Sequence, residues 1–293
     1  TVKNLRQAEK SMMAFCKGAQ KITEFTPQDA ADFRIFLLKR PLVDTTVRRR
    51  CKRVKQIFAA AIKKKIITGN PFDDVPTANR TNKDRQRNIK KEDIQSVIDA
   101  CPNIQWKLIF ALARYAGLRI PSELKDLKWE NIFWDKKRFV VHSPKTEHIE
   151  GKSFRIVPIF PDLEPYLLEA MEKAEPGEKR VIPIIGGMSK NLRTQARRII
   201  KRAGYEPWPK PFQNLRSSCE TDLVEKFPLH VVTEWLGNSP EVAQKHYLQV
   251  TEEHYERATQ KPAQYPAEQG QETTREKLQK IHPANGNPDN CKS

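Results

Sequence analysis

The chain has 293 residues, with 53 Lys and Arg against 36 Asp and Glu, a formal charge of +17 and a pI near 9.7. Hydrophobic residues make up 38 %; this is enough for a core, but no apolar run is long enough to span a bilayer, and no amphipathic anchor or lipidation motif is seen. The five cysteines, Cys16, Cys51, Cys101, Cys219 and Cys291, are scattered without a C-x-x-C pair, which argues against a zinc site or a disulfide framework. With no secretory signal ahead of the first helix-like segment, the expected location is cytoplasmic. A field this positive attracts polyanions and raises their encounter rate.

Residues 1–76 read as a helical domain. Leu5, Met12, Met13, Phe15 and Cys16 form an irregular apolar stripe. Thr26-Pro27-Gln28-Asp29 then supplies an N-cap, a first-turn proline and an acidic first turn, opening a helix with Phe33, Phe36 and Leu37. A third helix follows Asp44-Thr45-Thr46 and is expected to stop near Thr68-Gly69-Asn70-Pro71. Its polar face carries Arg48, Arg49, Arg50, Lys52, Arg53 and Lys55. Like charges at helical spacing repel one another, so this face reads as a phosphate-contacting surface, the alternative being a solvated face.

Residues 77–88, which include Arg85 and Arg87, contain almost nothing apolar and read as a basic interdomain linker. Residues 89–260 read as a second domain. Helices are expected at 91–98, 104–116, from Pro121 to near Trp129, and at about 162–173, 188–203, 215–226, 229–237 and 240–257. Residues 138–142 and 154–159 read as two strands of a hairpin with a polar turn between them. Arg193, Arg197, Arg198, Lys201 and Arg202 give one helix a basic face, with solvation again the alternative to phosphate contact. Residues 261–293, rich in Pro, Gln, Glu, Asn and Lys, read as a disordered tail. The fold class is therefore mainly α with a small β-hairpin or sheet (α+β).

Four stretches carry chemistry. Gly117-Leu118-Arg119-Ile120-Pro121-Ser122-Glu123 places Arg119 in a turn just ahead of a proline-led segment. Ser143-Pro144-Lys145-Thr146 puts Lys145 on the hairpin turn. Gln213-Asn214-Leu215-Arg216 opens a helix, and Leu236-Gly237-Asn238-Ser239 is followed by Lys245-His246-Tyr247. Each stretch alone is weak. In this order and at these spacings, over about residues 1–258, they resemble the tyrosine recombinases of the phage-integrase family, with a core-binding domain before a linker and a catalytic domain after it.

That resemblance implies that Arg119 and Arg216 grip a scissile phosphate, that Tyr247 is the nucleophile forming a 3′-phosphotyrosyl link, and that Lys145 protonates the leaving 5′-oxygen. Planar guanidinium groups suit the first role because they neutralise non-bridging oxygens with paired donors. The implied partners are double-stranded DNA and further copies of the chain, as a tetramer on DNA in a nucleoid-associated setting. No cofactor or metal is implied. Two positions depart from the family pattern: Gln213 stands where His is usual, and Asn238 where His or Trp is usual. Both can hydrogen-bond a phosphate oxygen, and neither titrates near neutral pH. They raise the alternative of a DNA-binding protein of the same fold with weakened catalysis. Ser122 occupies the usual acidic position, so Glu123 is expected to support Arg119. Tyr255 is the rival nucleophile, at a spacing too long for the pattern.

Overall fold

A computed structural model describes residues 2–16, 21–78, 83–147, 150–151, 153–185, 191–251 and 254–256. The expected tail, 261–293, lies outside the described residues, as do residues 79–82 of the expected linker. The chain divides into two compact units, one of Thr1–Arg87 with Glu206–Pro211 and one of Asn88–Tyr205 with Phe212–Ser293.

In the first unit, helix α1 spans Val2–Cys16, α2 Pro27–Leu38 and α3 Asp44–Lys63. The α2 start is a capping box: the Thr26 hydroxyl accepts from Asp29 N at 3.2 Å while Thr26 N donates to the Asp29 carboxylate at 2.8 Å. Val47, Cys51, Val54, Phe58 and Ala61 form the buried stripe of α3. Against it packs Phe72, fully buried, with the rings of Phe25, Phe33 and Phe58 between 5.4 and 5.9 Å away. α3 ends at Lys63, several residues earlier than Gly69 and Pro71 suggest. Lys65 takes φ +57°, with Ile66 N donating to Ala61 O and Lys65 N to Ile62 O, a Schellman closure. Three consecutive lysines at the carbonyl end of the helix dipole favour a stop there.

The second unit contains α4 (Lys91–Asp99), α5 (Ile104–Tyr115), α6 (Glu164–Glu172), α7 (Leu192–Arg202), α8 (Pro211–Val224), α9 (Leu229–Leu236) and α10 (Pro240–His246). α5 is its central helix, buried continuously from Leu108 to Tyr115. Even its arginine is enclosed: Arg114 donates from Nε to Ile89 O and pairs with Asp222 of α8 at 2.6 Å. A three-stranded antiparallel sheet has the order β1 (Ile132–Phe133), β2 (Arg138–His142), β3 (Phe154–Pro158), with Val140 opposite Ile156. The hairpin is the expected one; β1 is additional, two residues being too short to leave a periodic signal. Among the described residues, no helix is long and apolar enough to cross a membrane.

Two expected helices differ. Residues 120–126 form successive turns rather than an α-helix. Pro121 lacks an N–H, and the Glu123 carboxylate binds the Arg119 N–H at 2.7 Å, so local side-chain bonds replace the helical ladder. The last helix, expected over 240–257, ends at His246. Bonds from α8 take over there, with Ser217 Oγ donating to Tyr247 O and Gln249 N donating to Thr221 Oγ1 at 3.2 Å. Tyr247 is thus a helix C-cap, not a mid-helix residue.

Candidate active site

The site is built around the carbonyl end of α9. The last carbonyls of a helix have no intrahelical donors, and here Gly237, at φ +67°, turns the chain so that they face inward. Three arginines from distant parts of the sequence donate to three consecutive carbonyls. Arg155 Nε reaches Trp235 O at 2.7 Å, Arg216 reaches Leu236 O at 2.7 Å, and Arg119 reaches Gly237 O at 2.5 Å. The negative end of the helix dipole favours each of these cations. A Cβ on Gly237 would lie 2.9 Å from Arg155 Cδ, so the turn needs glycine for space as well as for φ.

Glu123 ties two of these arginines together. Its carboxylate accepts two bonds from Arg155, both at 2.8 Å, and one from Arg119 Nη1 at 2.6 Å. Burial alone would raise this carboxyl, since Glu123 is 2 % exposed, but the Arg155 bonds and the charges of Arg155, Arg119 and Arg216 outweigh it and hold it below the usual carboxylate range. Arg155 also donates to Ser143 Oγ at 2.9 Å, fixing the base of the hairpin that carries Lys145. Sequence reasoning missed Arg155. Its signal was an inverted strand pattern: Phe154 and Ile156 face outward while Arg155 and Val157 are buried.

Arg216 is 2 % exposed, and its second terminal nitrogen donates to Gly117 O. Burial, followed by repulsion from Arg119, brings it down to about 10, so it remains a cation at neutral pH. Its guanidinium carbon lies 5.2 Å from the centre of the Tyr247 ring. Gly117 is at φ +61° and pressed against Leu236, where a Cβ would come within 2.2 Å of a methyl carbon. Backbone contact between the Arg119 turn and the end of α9 therefore depends on that glycine.

A cavity of about 300 Å³ opens beside this cluster, lined by Arg119, Lys145, Arg155 and Asn238 together with Ser143 and Ser239. Arg119, Lys145 and Asn238 are thus brought together around one space; Arg216 and Tyr247 are in contact with each other but do not line it. Lys145 is exposed on its turn. Asn238 is half-buried and donates through Nδ2 to the fully buried Glu220 at 2.8 Å. Gln213 is exposed at the start of α8 and does not line the cavity. Tyr255 is 61 % exposed and does not line it either. Among the described residues, no group of three or more His, Cys, Asp or Glu could hold a metal ion.

The basic residues singled out in the sequence divide by environment. In the first unit, Arg49 and Lys52 are exposed, and Arg53 donates to Gln56 at 2.7 Å. Arg48, expected on the solvent-facing side, is instead 8 % exposed and paired with Asp44 at 2.6 Å. Its position one residue after Val47 places it at the edge of the buried stripe. Lys55 pairs with Asp73 at 2.9 Å. Arg85 and Arg87 are exposed. In the second unit, Arg193 and Arg197 are exposed on α7, whose opposite face buries Leu192, Ala196, Ile199 and Ile200.

The protein thus has two mainly helical units, with an arginine cluster at one helix end and a tyrosine against one of its arginines. The phage integrase family model matches residues 87–254 and its SAM-like domain model matches residues 1–81. The chain therefore belongs to the phage integrase family of tyrosine-type site-specific recombinases. Among solved structures it resembles the Tn1549 transposon integrase in complex with transposon right end DNA (TM-score 0.67, 15 % identity, 87 % of this chain and 92 % of that one). It also resembles lambda integrase, solved as a tetramer bound to a Holliday junction (TM-score 0.65, 17 % identity, 85 % and 72 % covered). A third is the XerA recombinase (TM-score 0.51, 18 % identity, 89 % and 93 % covered). These likenesses concern the fold. No curated protein matches the sequence.

Proposed function

We propose that the chain cleaves and rejoins duplex DNA at a specific site through Tyr247. The observation that carries this reading is the placement of the Arg216 guanidinium 5.2 Å from the Tyr247 ring, with Arg119 on the next carbonyl of the same helix end. A phosphodiester entering the cavity meets the Arg119 guanidinium on its lining, and the buried Arg216, whose Nε–H has no partner, adds a second cation to neutralise the charge that grows on the non-bridging oxygens. The Tyr247 hydroxyl gives up its proton to solvent, and its oxygen bonds to phosphorus as the bond to the 5′-oxygen breaks. The Lys145 ammonium donates a proton to that leaving oxygen. The phosphotyrosyl link conserves the bond energy, so religation is the same path in reverse.

Arg49, Lys52, Arg53, Arg85, Arg87, Arg193 and Arg197 are proposed to contact phosphates along the duplex, with Lys55 and Arg48 set back in ion pairs. Exchange between two duplexes needs four cleavages, hence four copies of the chain on DNA. Lambda integrase, which has been solved as a tetramer on a Holliday junction, supports that stoichiometry by likeness. A nucleoid-associated location follows from the same reading.

A second reading, a DNA-binding protein of this fold with weakened cleavage, is favoured by the exposure of Gln213 and the engagement of Asn238 with Glu220. One experiment separates the two. A nicked suicide duplex from the ends of the element that encodes the chain is incubated with the protein and scored for a covalent complex that survives SDS. A band lost with Tyr247→Phe and kept with Tyr255→Phe is the expected result. Site-specific binding without a band supports the second reading.

A further inference from the structure

Glu220 lies one turn after Arg216 on α8, is fully buried, and is not needed by the chemistry described above. One of its oxygens, Oε1, accepts from Asn238 Nδ2 at 2.8 Å. The other, Oε2, is buried without a hydrogen-bond partner, and so is Asn238 Oδ1. Two acceptors left over on the same amide–carboxyl pair cannot satisfy each other. A proton on Oε2 changes this, because the carboxylic acid then donates to Oδ1 while Oε1 continues to accept from Nδ2.

We propose that Glu220 carries a proton in the folded protein, that it closes a two-bond ring with Asn238, and that this ring aims the second Asn238 N–H at a phosphate in the cavity. The functional half of this proposal rests on the recombinase reading above. Glu220 is a positioning residue in it: it acts through Asn238, which itself lines the cavity with Arg119 and Lys145.

Charge around the pair is consistent with a neutral acid. The charged groups facing Glu220 are Arg216 on its own helix and Arg119 from the turn after α5, both of which favour the anion, as does the Asn238 bond. Burial opposes them and is the largest influence, so the carboxyl titrates above its ordinary range. Neutrality also has a consequence for the site. A carboxylate here would compete with a phosphate for the charge of Arg216 and Arg119, whereas a protonated Glu220 leaves that charge to the substrate. Asn238 cannot titrate, so its hydrogen-bonding direction is set by the proton on its neighbour. Deprotonation would place two acceptors against each other and release the amide to rotate.

Glutamine is the close mimic of the protonated acid, donating from Nε2 to Oδ1 and accepting at Oε1 with no titration. The first test needs neither DNA nor activity. Infrared difference spectra of the full chain, wild type minus Glu220→Gln, are recorded with carbon-13-labelled glutamate at neutral pH. A carboxylic-acid carbonyl band is expected; carboxylate bands in its place overturn the proposal. The second test is single-turnover cleavage of the suicide duplex from about pH 6 to about pH 9. Glu220→Gln is expected to cleave like wild type wherever Glu220 carries its proton. Glu220→Ala is expected to cleave roughly 10-fold more slowly throughout, the cost of one ill-placed hydrogen bond. Equal cleavage by wild type and Glu220→Ala overturns the positioning role. If wild type itself does not cleave, the functional half falls with the recombinase reading, while the infrared band still decides whether the ring holds a proton.

Discussion

Arg119 and Arg216 donate to neighbouring carbonyls, those of Gly237 and Leu236, at 2.5 and 2.7 Å. One helix end therefore sets the distance between the two guanidinium groups. Lysine at either position keeps the charge but loses the planar fork, so it cannot hold a carbonyl and a phosphate oxygen together. Arg119→Lys and Arg216→Lys are each expected to slow cleavage by about 10²–10³-fold. Duplex affinity should fall far less, because many other cations contribute to it. Arg216→Lys should in addition lower the melting temperature, since the buried carbonyls of Gly117 and Leu236 lose their donors. Single-turnover cleavage, filter binding and thermal melting measured together check the pattern.

Glu123 gives the site a pH dependence of defined sign. Its folded-state carboxyl is held below the usual range, so the folded protein binds fewer protons than the unfolded chain between the two values. The stability it contributes is present above the unfolded value, about 4.3, and is lost as pH falls through the folded one. Glu123→Gln is expected to lose roughly 3–5 kcal/mol at neutral pH, the cost of leaving Arg155 buried without its anion. Its melting temperature should change less than that of wild type on acidification. Denaturation curves of both proteins from neutral pH downward test this; parallel curves would remove Glu123 from the account.

Salt dependence distinguishes surface cations from buried ones. Arg49, Lys52, Arg193 and Arg197 are exposed. If each meets a phosphate, its replacement by alanine reduces the slope of log affinity against log salt by about 0.9. Arg48 is buried against Asp44. Arg48→Ala should leave the slope unchanged and cost roughly 1–2 kcal/mol of stability. A slope change with Arg48→Ala, or none with the other four, would reverse the assignment.

Much of the fold was legible because the signals were local. The Thr26–Asp29 cap, the apolar stripe of α3 and the β2–β3 hairpin all follow from short spacings and stand in the structure. What escaped were features set by tertiary bonds. The end of α10 is decided by Ser217 and Thr221 on another helix, and the turns after Pro121 by a side chain that captures a backbone N–H. The site divides in the same way. Arg119, Lys145, Asn238, Arg216 and Tyr247 were visible as ordered motifs; the structure sets the first three around one cavity and Arg216 against Tyr247. Arg155 and Glu220 were not, because a charged residue in a strand or helix reads as solvent-facing until the fold encloses it. Arg155 left a faint sign, being flanked by two large apolar residues that face outward.

The position of Tyr247 depends on Ser217. This serine is 2 % exposed; it donates to the Tyr247 carbonyl and accepts from Gln249 Nε2 at 2.8 Å. The helix ends at His246 and the Tyr247 N–H still donates to Ala243 O at 2.9 Å, while its carbonyl is held from α8. Ser217→Ala removes the hydroxyl and leaves both groups without this partner, at a cost of about 1–3 kcal/mol. Because the tether acts on the residue next to the chemistry, the cleavage rate should fall by about 10-fold, while noncovalent duplex binding is unchanged. Ser217→Thr keeps the hydroxyl and should restore the rate. Cleavage and binding measured side by side on the three proteins decide the matter. A loss of stability with no loss of cleavage would mean that the bond serves folding alone and that Tyr247 is positioned by its contact with Arg216.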